Sequence, residues 1–353
     1  MSGKRHGWQA EDTRHHGEKP RADDARGAGP GGRPHREPEL LPPLPVPGRG
    51  TQLISLDGRV LTLTNLDKPI WPRDGYTKFD LINYYFRVSG FILPHLAGRP
   101  LSLKRYPNGA GAPFFFQKRA APETPAWIRT RRIKHADTGE SVDYIICDDV
   151  STLLYLANLA CISQNPWLSA LPELDRPDIL ALDLDPSDPD DFEGCIQVAL
   201  LVKRQLDRFG MTGYPKTSGA TGLHVYLPIR PAYTYSQCRQ FAKIIALLCR
   251  EERPDLITLE SSVSRRGGKL YLDYMQNVKG KTLASVYSVR ARTGAPVSTP
   301  LKWDEVQPGL RPADFTMENT PARLAAAGDL FAGALAGGHD LMRAVKRAER
   351  MLS

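Results

Sequence analysis

Long apolar runs are missing from this sequence, and so is any closely paired cysteine motif. No uninterrupted apolar stretch is long enough to cross a bilayer, and the N-terminus lacks the apolar segment of a signal peptide. Both absences predict a soluble protein, cytoplasmic and without a membrane partner. Cysteine is scarce: Cys147, Cys161, Cys195, Cys238 and Cys249 are dispersed, with no CxxC pair. An odd, scattered set of this kind argues against a disulfide framework and against a zinc site. A surplus of negative charge is also missing. The net charge is +8, which favours polyanionic partners, nucleic acid first among them.

The 353 residues, 41% of them hydrophobic, suffice for one large domain or two subdomains with a real core. Residues 1–50 mix Gly, Pro, Arg and His, nearly without aromatics, and show no periodic apolar pattern. Such a stretch cannot bury enough surface to offset its ordering entropy, so it predicts a disordered tail. Four of the eight histidines fall there (His6, His15, His16, His35), which leaves metal binding as an alternative to simple solvation.

Folded sequence is expected from about Gln52. Apolar residues at helical spacing predict helices over residues 79–96, capped by Thr77, and over 150–162. A third helix is expected over 189–209, capped by Asp188 and ended by Gly210, and a fourth over 236–250. An Ala-rich stretch, 321–353, predicts a helical extension with a basic, exposed end. Between the helices lie alternating segments, ILALDLD at 179–185, LHVYL at 223–227 and KLYLDY at 269–274. The alternation predicts an α+β or α/β core, with helices covering one sheet face.

Strand periodicity puts Leu180, Leu182 and Leu184 on one face and Asp183 and Asp185 on the other. The same rule separates His224 from Leu223 and Val225, and Asp273 from Leu270 and Leu272. If the three strands are neighbours, three carboxylates and an imidazole converge on one surface. Asp183 and Asp185 stand roughly 7 Å apart along a strand, a spacing at which two carboxylates can share a hard cation. A third acid, Asp273, would complete a two-metal site for phosphoryl transfer. Taken alone, DxD also suits an exposed strand end, and it recurs in glycosyltransferases.

The loop SGATGLH at 218–224 places two glycines and two hydroxyls before a strand, where backbone N–H groups can form an anion-binding nest. Ser218 and His224 are therefore candidates for a triphosphate; an ordinary glycine turn is the plainer alternative. Basic and aromatic residues interleave at LKRY (103–106) and FFFQKR (114–119), as on surfaces that hold phosphates and stack bases. Three consecutive phenylalanines are expected to place at least one ring in the core. Arg266 and Lys269, in SRRGGK, precede the Asp273 strand and are expected near the metal. Arg290 is a further polyphosphate candidate.

The ordered set LTNLDKPIWP, TKFDLINYY, AGRPLSLKRYPNG, PFFFQK, LDLDP, SGATGLHVY, GGKLYLDYMQN and YSVR resembles the polymerase domain of bacterial ligase D, LigD, in the archaeo-eukaryotic primase superfamily. The resemblance covers about residues 61–303. It implies a primase-like α+β fold, in which a central mixed or antiparallel sheet carries the catalytic acids and is flanked by helices, with a smaller N-terminal subdomain. The implied primase-polymerase domain spans 51–320, with a DNA-contacting part over about 51–175 and a catalytic part over about 176–310.

The resemblance also implies roles. Asp183, Asp185 and Asp273 match the metal-binding acids, for two Mn²⁺ or Mg²⁺ ions. Ser218, His224 and Arg290 match the incoming-nucleotide site, with Arg266 and Gln276 in the same block. Lys68 and Lys78 match lysines that recognise a downstream 5′-phosphate. Phe115 and Phe116 match an aromatic pair that stacks on the template, and Lys104 a basic residue beside it. Implied partners are gapped, 5′-phosphorylated DNA at double-strand breaks, NTP or dNTP with ribonucleotides preferred, and a Ku-like protein with a separate ligase. The implied location is the nucleoid.

Two positions depart from that pattern. Asn165 stands where many relatives carry His, and Thr221 where some carry Lys; both remove a positive charge near the nucleotide. A primase of the same superfamily, a weak DNA-end binding module and a DxD glycosyltransferase are the competing readings. Three clustered carboxylates, which repel DNA, speak against the binding module, and the basic-aromatic segments against the glycosyltransferase.

Overall fold

The computed structural model describes residues 38–47, 50–135 and 138–352. Most of the expected N-terminal tail lies outside them. Residues 38–47, assigned to that tail, lie against the fold. The Leu41 N–H donates to Arg87 O, the Leu44 N–H to Asn83 Oδ1, and the Leu44 side chain is buried. The prolines that remove donors here leave leucines free to pack.

The N-terminal part opens with a hairpin of β1 (Gln52–Leu56) and β2 (Arg59–Leu63). Its two-residue turn, Asp57-Gly58, holds both φ angles positive, at 50° and 74°, as the twist of a tight hairpin requires. A small pair follows, β3 (Pro69–Trp71) and β4 (Tyr76–Thr77). Thr77 caps α1 (Lys78–Arg87) through a reciprocal capping box with Asp80. The single helix expected over 79–96 is two, because Val88 leaves helical geometry before α2 (Ser89–Leu96).

β5 (Leu101–Arg105) and β6 (Phe115–Gln117) belong to a three-stranded sheet, and β7 (Thr130–Lys134) pairs with β8 (Ser141–Ile145). α3 (Val150–Asn158) ends earlier than expected: Ala160 adopts φ +54° and starts β9 (Cys161–Pro166), which pairs with β5.

The central sheet has the order β11-β12-β10-β14-β13. β10 (Ile179–Asp185) is its middle strand. α4 (Phe192–Arg208) is capped by Asp191, not Asp188, whose carboxylate instead accepts from the Asp190 N–H. β11 (Tyr214–Thr217), β12 (Leu223–Pro228), α5 (Tyr235–Glu252), β13 (Ile257–Thr258) and β14 (Leu270–Asp273) complete it. All its pairings are antiparallel except β13 with β14. Leu180, Leu182, Leu184, Val225 and Leu272 meet α4 and α5 in one core, as period-two alternation demands. The opposite face carries the acids, and there Ala181 and Tyr226 join the core of the N-terminal part.

A segment after β14 ties the halves together. The Ser285 N–H donates to Gln164 O on β9, the Thr217 N–H to Thr299 O, and the Leu301 N–H to Pro215 O. The C-terminal stretch forms α6 (Thr320–Ala327) and α7 (Leu341–Leu352) rather than one run. Between them, Asp329 accepts from His95 Nε2 at 2.9 Å and from the Tyr287 hydroxyl at 2.6 Å, all three side chains lying in the interior. The fold is α+β.

Candidate active site on the acid-bearing face of the central sheet

Strand register assembles the site. Asp183 on β10 stands opposite Asp273 on β14 and opposite His224 on β12; His224 stands opposite Lys216 on β11. Lys216, His224, Asp183 and Asp273 thus form one row across four strands, with Asp185 two residues further along β10. The expected convergence of three carboxylates and an imidazole is what the sheet builds. Lys216 was not anticipated. Its signal was its place in PKTSG, an even step before Ser218 in a strand whose other side chains are apolar or small.

Hydrogen bonds orient the row. His224 Nε2 lies 3.2 Å from Asp183 Oδ1. Gln276 Nε2 donates to Asp273 Oδ2 at 2.9 Å and reaches Asp183 Oδ2 at 3.4 Å. Asp273 Oδ1 accepts from the Tyr271 hydroxyl at 2.9 Å and from the Met275 N–H at 2.6 Å. Asn277, also unanticipated, donates to Ala181 O and accepts from the Ala181 N–H, completing β10 where β14 has ended. Lys216 is fully buried, and its ammonium donates to Ala284 O at 2.9 Å and Ser298 Oγ at 2.5 Å.

Burial governs the charges. It pushes the Asp183 carboxyl upward, against the pull of Lys216 and Arg290. Asp185 is raised by burial and by the neighbouring Asp183 and Asp273, with Arg266 and Arg290 opposing. Asp273 is raised by burial and Asp183. Lys216 is held well below the usual lysine range by burial and Arg290. Burial, Lys216 and Arg290 together hold His224 well below the usual imidazole range, so a neutral ring stands beside Asp183. Its Nδ1 is buried with no partner among the described residues.

Lys216, Arg266 and Arg290 offset the three carboxylates only in part, and hard oxygen donors in this arrangement suit a divalent cation such as Mg²⁺ or Mn²⁺. Among the described residues no three His, Cys, Asp or Glu side chains are already gathered around a common point. The bonds from Tyr271, Met275 and Gln276 hold the carboxylates toward their own neighbours.

The loop at 218–222 differs from an open nest. The Ala220 and Gly222 N–H groups both donate to Ser218 Oγ, at 3.1 and 3.0 Å, so the hydroxyl closes the turn on itself. Gly222 is obligatory, since a Cβ there would fall 2.1 Å from Leu184 O. The Arg290 guanidinium donates to Ser218 O and lies deep in the site. Arg266 covers the Tyr271 ring, 4.5 Å from its centroid, with its Nε buried and unpartnered. Lys269, expected beside the acids, instead donates to Pro254 O. Asn165 is engaged elsewhere: its amide donates to Ser102 O and Ser163 O and accepts from Ser163 Oγ. Thr221 is half-buried in the loop.

Two flanking groups stand on the N-terminal part. The Lys78 N–H donates to Lys68 O, so the β3–β4 turn brings the two lysines together. Lys78 is buried, its ammonium donating to Asn158 O at 3.0 Å; burial, with Lys68 beside it, lowers it to about 8. Phe114, Phe115 and Phe116 are 47, 45 and 58% exposed, so none enters the core as expected. They are tolerated outside because Lys104 caps Phe114 at 3.8 Å, Arg105 caps Phe115 at 5.2 Å, and Phe114 and Phe116 meet edge to face. Lys104 is lowered by burial and by Arg290 and Arg292.

A sheet that gathers three acids on one face, bordered by buried cations, is an arrangement shared by phosphoryl-transfer proteins. Residues 77–331 match the family described as LigD, primase-polymerase domain, and the chain belongs to that family. It is 39% identical over 265 residues to the bifunctional non-homologous end joining protein LigD of Bacillus subtilis, covering 75% of this chain and 42% of that protein. To the multifunctional non-homologous end joining DNA repair protein LigD of Mycobacterium tuberculosis it is 33% identical over 280 residues, covering 77% and 36%. The chain therefore spans less than half the length of these relatives. The solved polymerase domain of Mycobacterium tuberculosis ligase D, in complex with DNA, superposes with a TM-score of 0.73 at 32% identity, covering 79% of this chain and 99% of that one. No helix among the described residues is long and apolar enough to cross a membrane.

Proposed function

We propose that this protein is a nucleotidyltransferase that adds nucleotides to DNA 3′ ends and fills gaps bearing a 5′-phosphate, as a step of non-homologous end joining. The observation that carries the reading is the register of Asp183 opposite Asp273, with Asp185 on the same face. These three side chains would hold two Mn²⁺ or Mg²⁺ ions, which would supply neutralisation of charge developing on the transferred phosphoryl group. The 3′-hydroxyl of the DNA strand gives its proton to solvent, its oxygen bonds to the α-phosphorus, and the bond to pyrophosphate breaks as pyrophosphate leaves.

The protein's own groups set the geometry. Arg290, fixed against Ser218, and Arg266, fixed over Tyr271, present guanidiniums to the polyphosphate. Neutral His224 is the remaining donor in the row, and Gln276 keeps Asp183 and Asp273 aligned. Ser218 acts by closing its loop, and Asn165 by shaping β9 rather than by touching the nucleotide. Lys68 and Lys78 read the 5′-phosphate, while Phe115 and Phe116, with Lys104, stack on the template. Ribonucleotides are preferred. Ku and a separate ligase are the fitting protein partners, and the nucleoid is where such ends occur.

Primer extension on gapped DNA tests the reading, comparing NTP with dNTP and Mg²⁺ with Mn²⁺. The expected result is extension that stops at the 5′-phosphate, with ribonucleotides used at least as well as deoxyribonucleotides. Synthesis without any primer would favour a primase instead, and no incorporation under any condition would end the proposal.

A further inference from the structure

Three segments wall a cleft that the site above does not use. One wall is the β3–β4 turn, with Trp71, Pro72, Arg73 and Asp74. Ala110 and Gly111, with Ala291, Arg292 and Thr293, complete the lining; the cavity volume is about 470 Å³. The same three segments carry Lys68 and Lys78, Lys104 with Phe115 and Phe116, and Arg290.

Its chemistry points to a ligand. Arg73 and Arg292 both line the cleft and are exposed. Neither forms an ion pair among the described residues. Trp71 is 2% exposed, and its indole Nε1, a buried donor, has no acceptor. An orphaned N–H of this kind costs free energy unless a ligand supplies the partner. The walls are rigid: the Asp74 and Gly75 N–H groups donate to Trp71 O, the Ala110 N–H to Ile70 O, and the Ala295 N–H to Arg292 O. Asp74 faces the same space. A free phosphate meets repulsion from that carboxylate, whereas a nucleotide offers it an exocyclic amino group while giving its phosphates to the arginines.

We propose that this cleft is a separate nucleic-acid site, which holds an unpaired nucleotide of single-stranded DNA between the two arginines. The proposal rests on the DNA-end reading above and adds a position for the strand segment that lies between template platform and 5′-phosphate lysines. Fixing that segment keeps an unpaired end from folding back over the acids.

The test is binding of a short fluorescent single-stranded DNA across a salt series, using the whole chain. Each phosphate neutralised on a single strand contributes about 0.7 to the slope of log affinity against log salt, so Arg73→Ala/Arg292→Ala lowers it by about 1.4. Arg131→Ala/Arg132→Ala, which removes the same charge from exposed β7, is the control and leaves the slope and affinity near wild type. Indole fluorescence changes on binding, and the change vanishes in Trp71→Phe. Equal losses in the two double variants, or an unaltered slope in the first, overturn the cleft. Primer extension on a recessed, fully paired end separates the two readings: Arg73→Ala/Arg292→Ala retains it, and a wild-type chain inactive there sinks the nucleotidyltransferase reading instead.

Discussion

Asp183 and Asp273 face each other across adjacent antiparallel strands, and a single glutamine, Gln276, bonds to both. Two carboxylates so placed are costly to a fold unless a cation joins them. Asp183→Ala and Asp273→Ala are expected to lower nucleotide addition by at least ~10³-fold, the scale of losing a preorganised charge-stabilising group, while DNA affinity stays within about twofold. Single-turnover extension beside a DNA-binding titration checks this. Full activity in either variant would remove that residue from the site.

The same carboxylates set a stability trend. Their protons are held more tightly in the folded chain than in the unfolded one. The folded state therefore binds more protons above the unfolded carboxylate range, and stability falls as pH rises through that range toward neutrality. Asp149, Glu305 and Asp329, held below the usual carboxylate range, work the other way, so the trend is read against Asp183→Asn/Asp273→Asn. Relative to that variant, the melting temperature of the unaltered protein without divalent ions is expected to fall from about pH 4 to about pH 7. A difference that is flat or rises over that interval contradicts the description of the site.

Lys78 gives a second pH signature of opposite sense. Its ammonium loses a proton near pH 8, so discrimination between 5′-phosphate and 5′-hydroxyl gaps should be full below that pH and decline above it. At neutral pH the preference should be roughly tenfold, from about 1.5 kcal/mol for a charge-assisted contact. Paired titrations at fixed salt measure it, and Lys68→Ala/Lys78→Ala should erase it without stopping extension of a simple primer-template. For the folded lysine the protons are fewer than in the unfolded chain above pH 8, so this residue adds stability as pH climbs further.

Phe115 and Phe116 separate function from folding. Both rings are about half exposed, so alanine at either should leave the melting temperature nearly unchanged. Loss of base stacking should weaken template binding by about 1–3 kcal/mol per ring, roughly fivefold to a hundredfold or more. Calorimetry and template titration give the two numbers; a large melting shift would assign the rings to the core.

Gly222→Ala should act oppositely, since the added methyl meets the Leu184 carbonyl 2.1 Å away. Displacing β10 or the 218–222 loop is expected to cost more than ~2 kcal/mol, the range of overpacking and backbone conflict. Thermal melting measures the cost, and wild-type stability would mean the loop has room it does not show.

How much of this was readable beforehand depends on the range of the interaction. β10 was legible to the residue because its alternation is unbroken, and with it the shared face of Asp183 and Asp185. Lys216 was not, because its one local mark, an even step before Ser218 in a short strand, does not show that it is buried; what holds it, Ala284 and Ser298, lies far along the chain. The break at Val88 and the early end of α3 at Ala160 escaped apolar periodicity, which continues through both. The exposed phenylalanine trio defied burial rules because its cover is cationic side chains. Asn165 lies where the resemblance puts it in the chain, but its amide bonds are local and leave it no free donor for a nucleotide.

The buried meeting of His95, Tyr287 and Asp329 has a practical meaning for where this molecule can be cut. Asp329 comes from the stretch beyond α6 and supplies the acceptor for a helix of the N-terminal part and for the segment that leads to Arg290. A chain shortened at residue 320 would strand two interior donors and loosen the arm that carries the guanidinium. The last portion of the sequence is thus a keystone shared by both halves, and anything grafted onto this protein belongs after it.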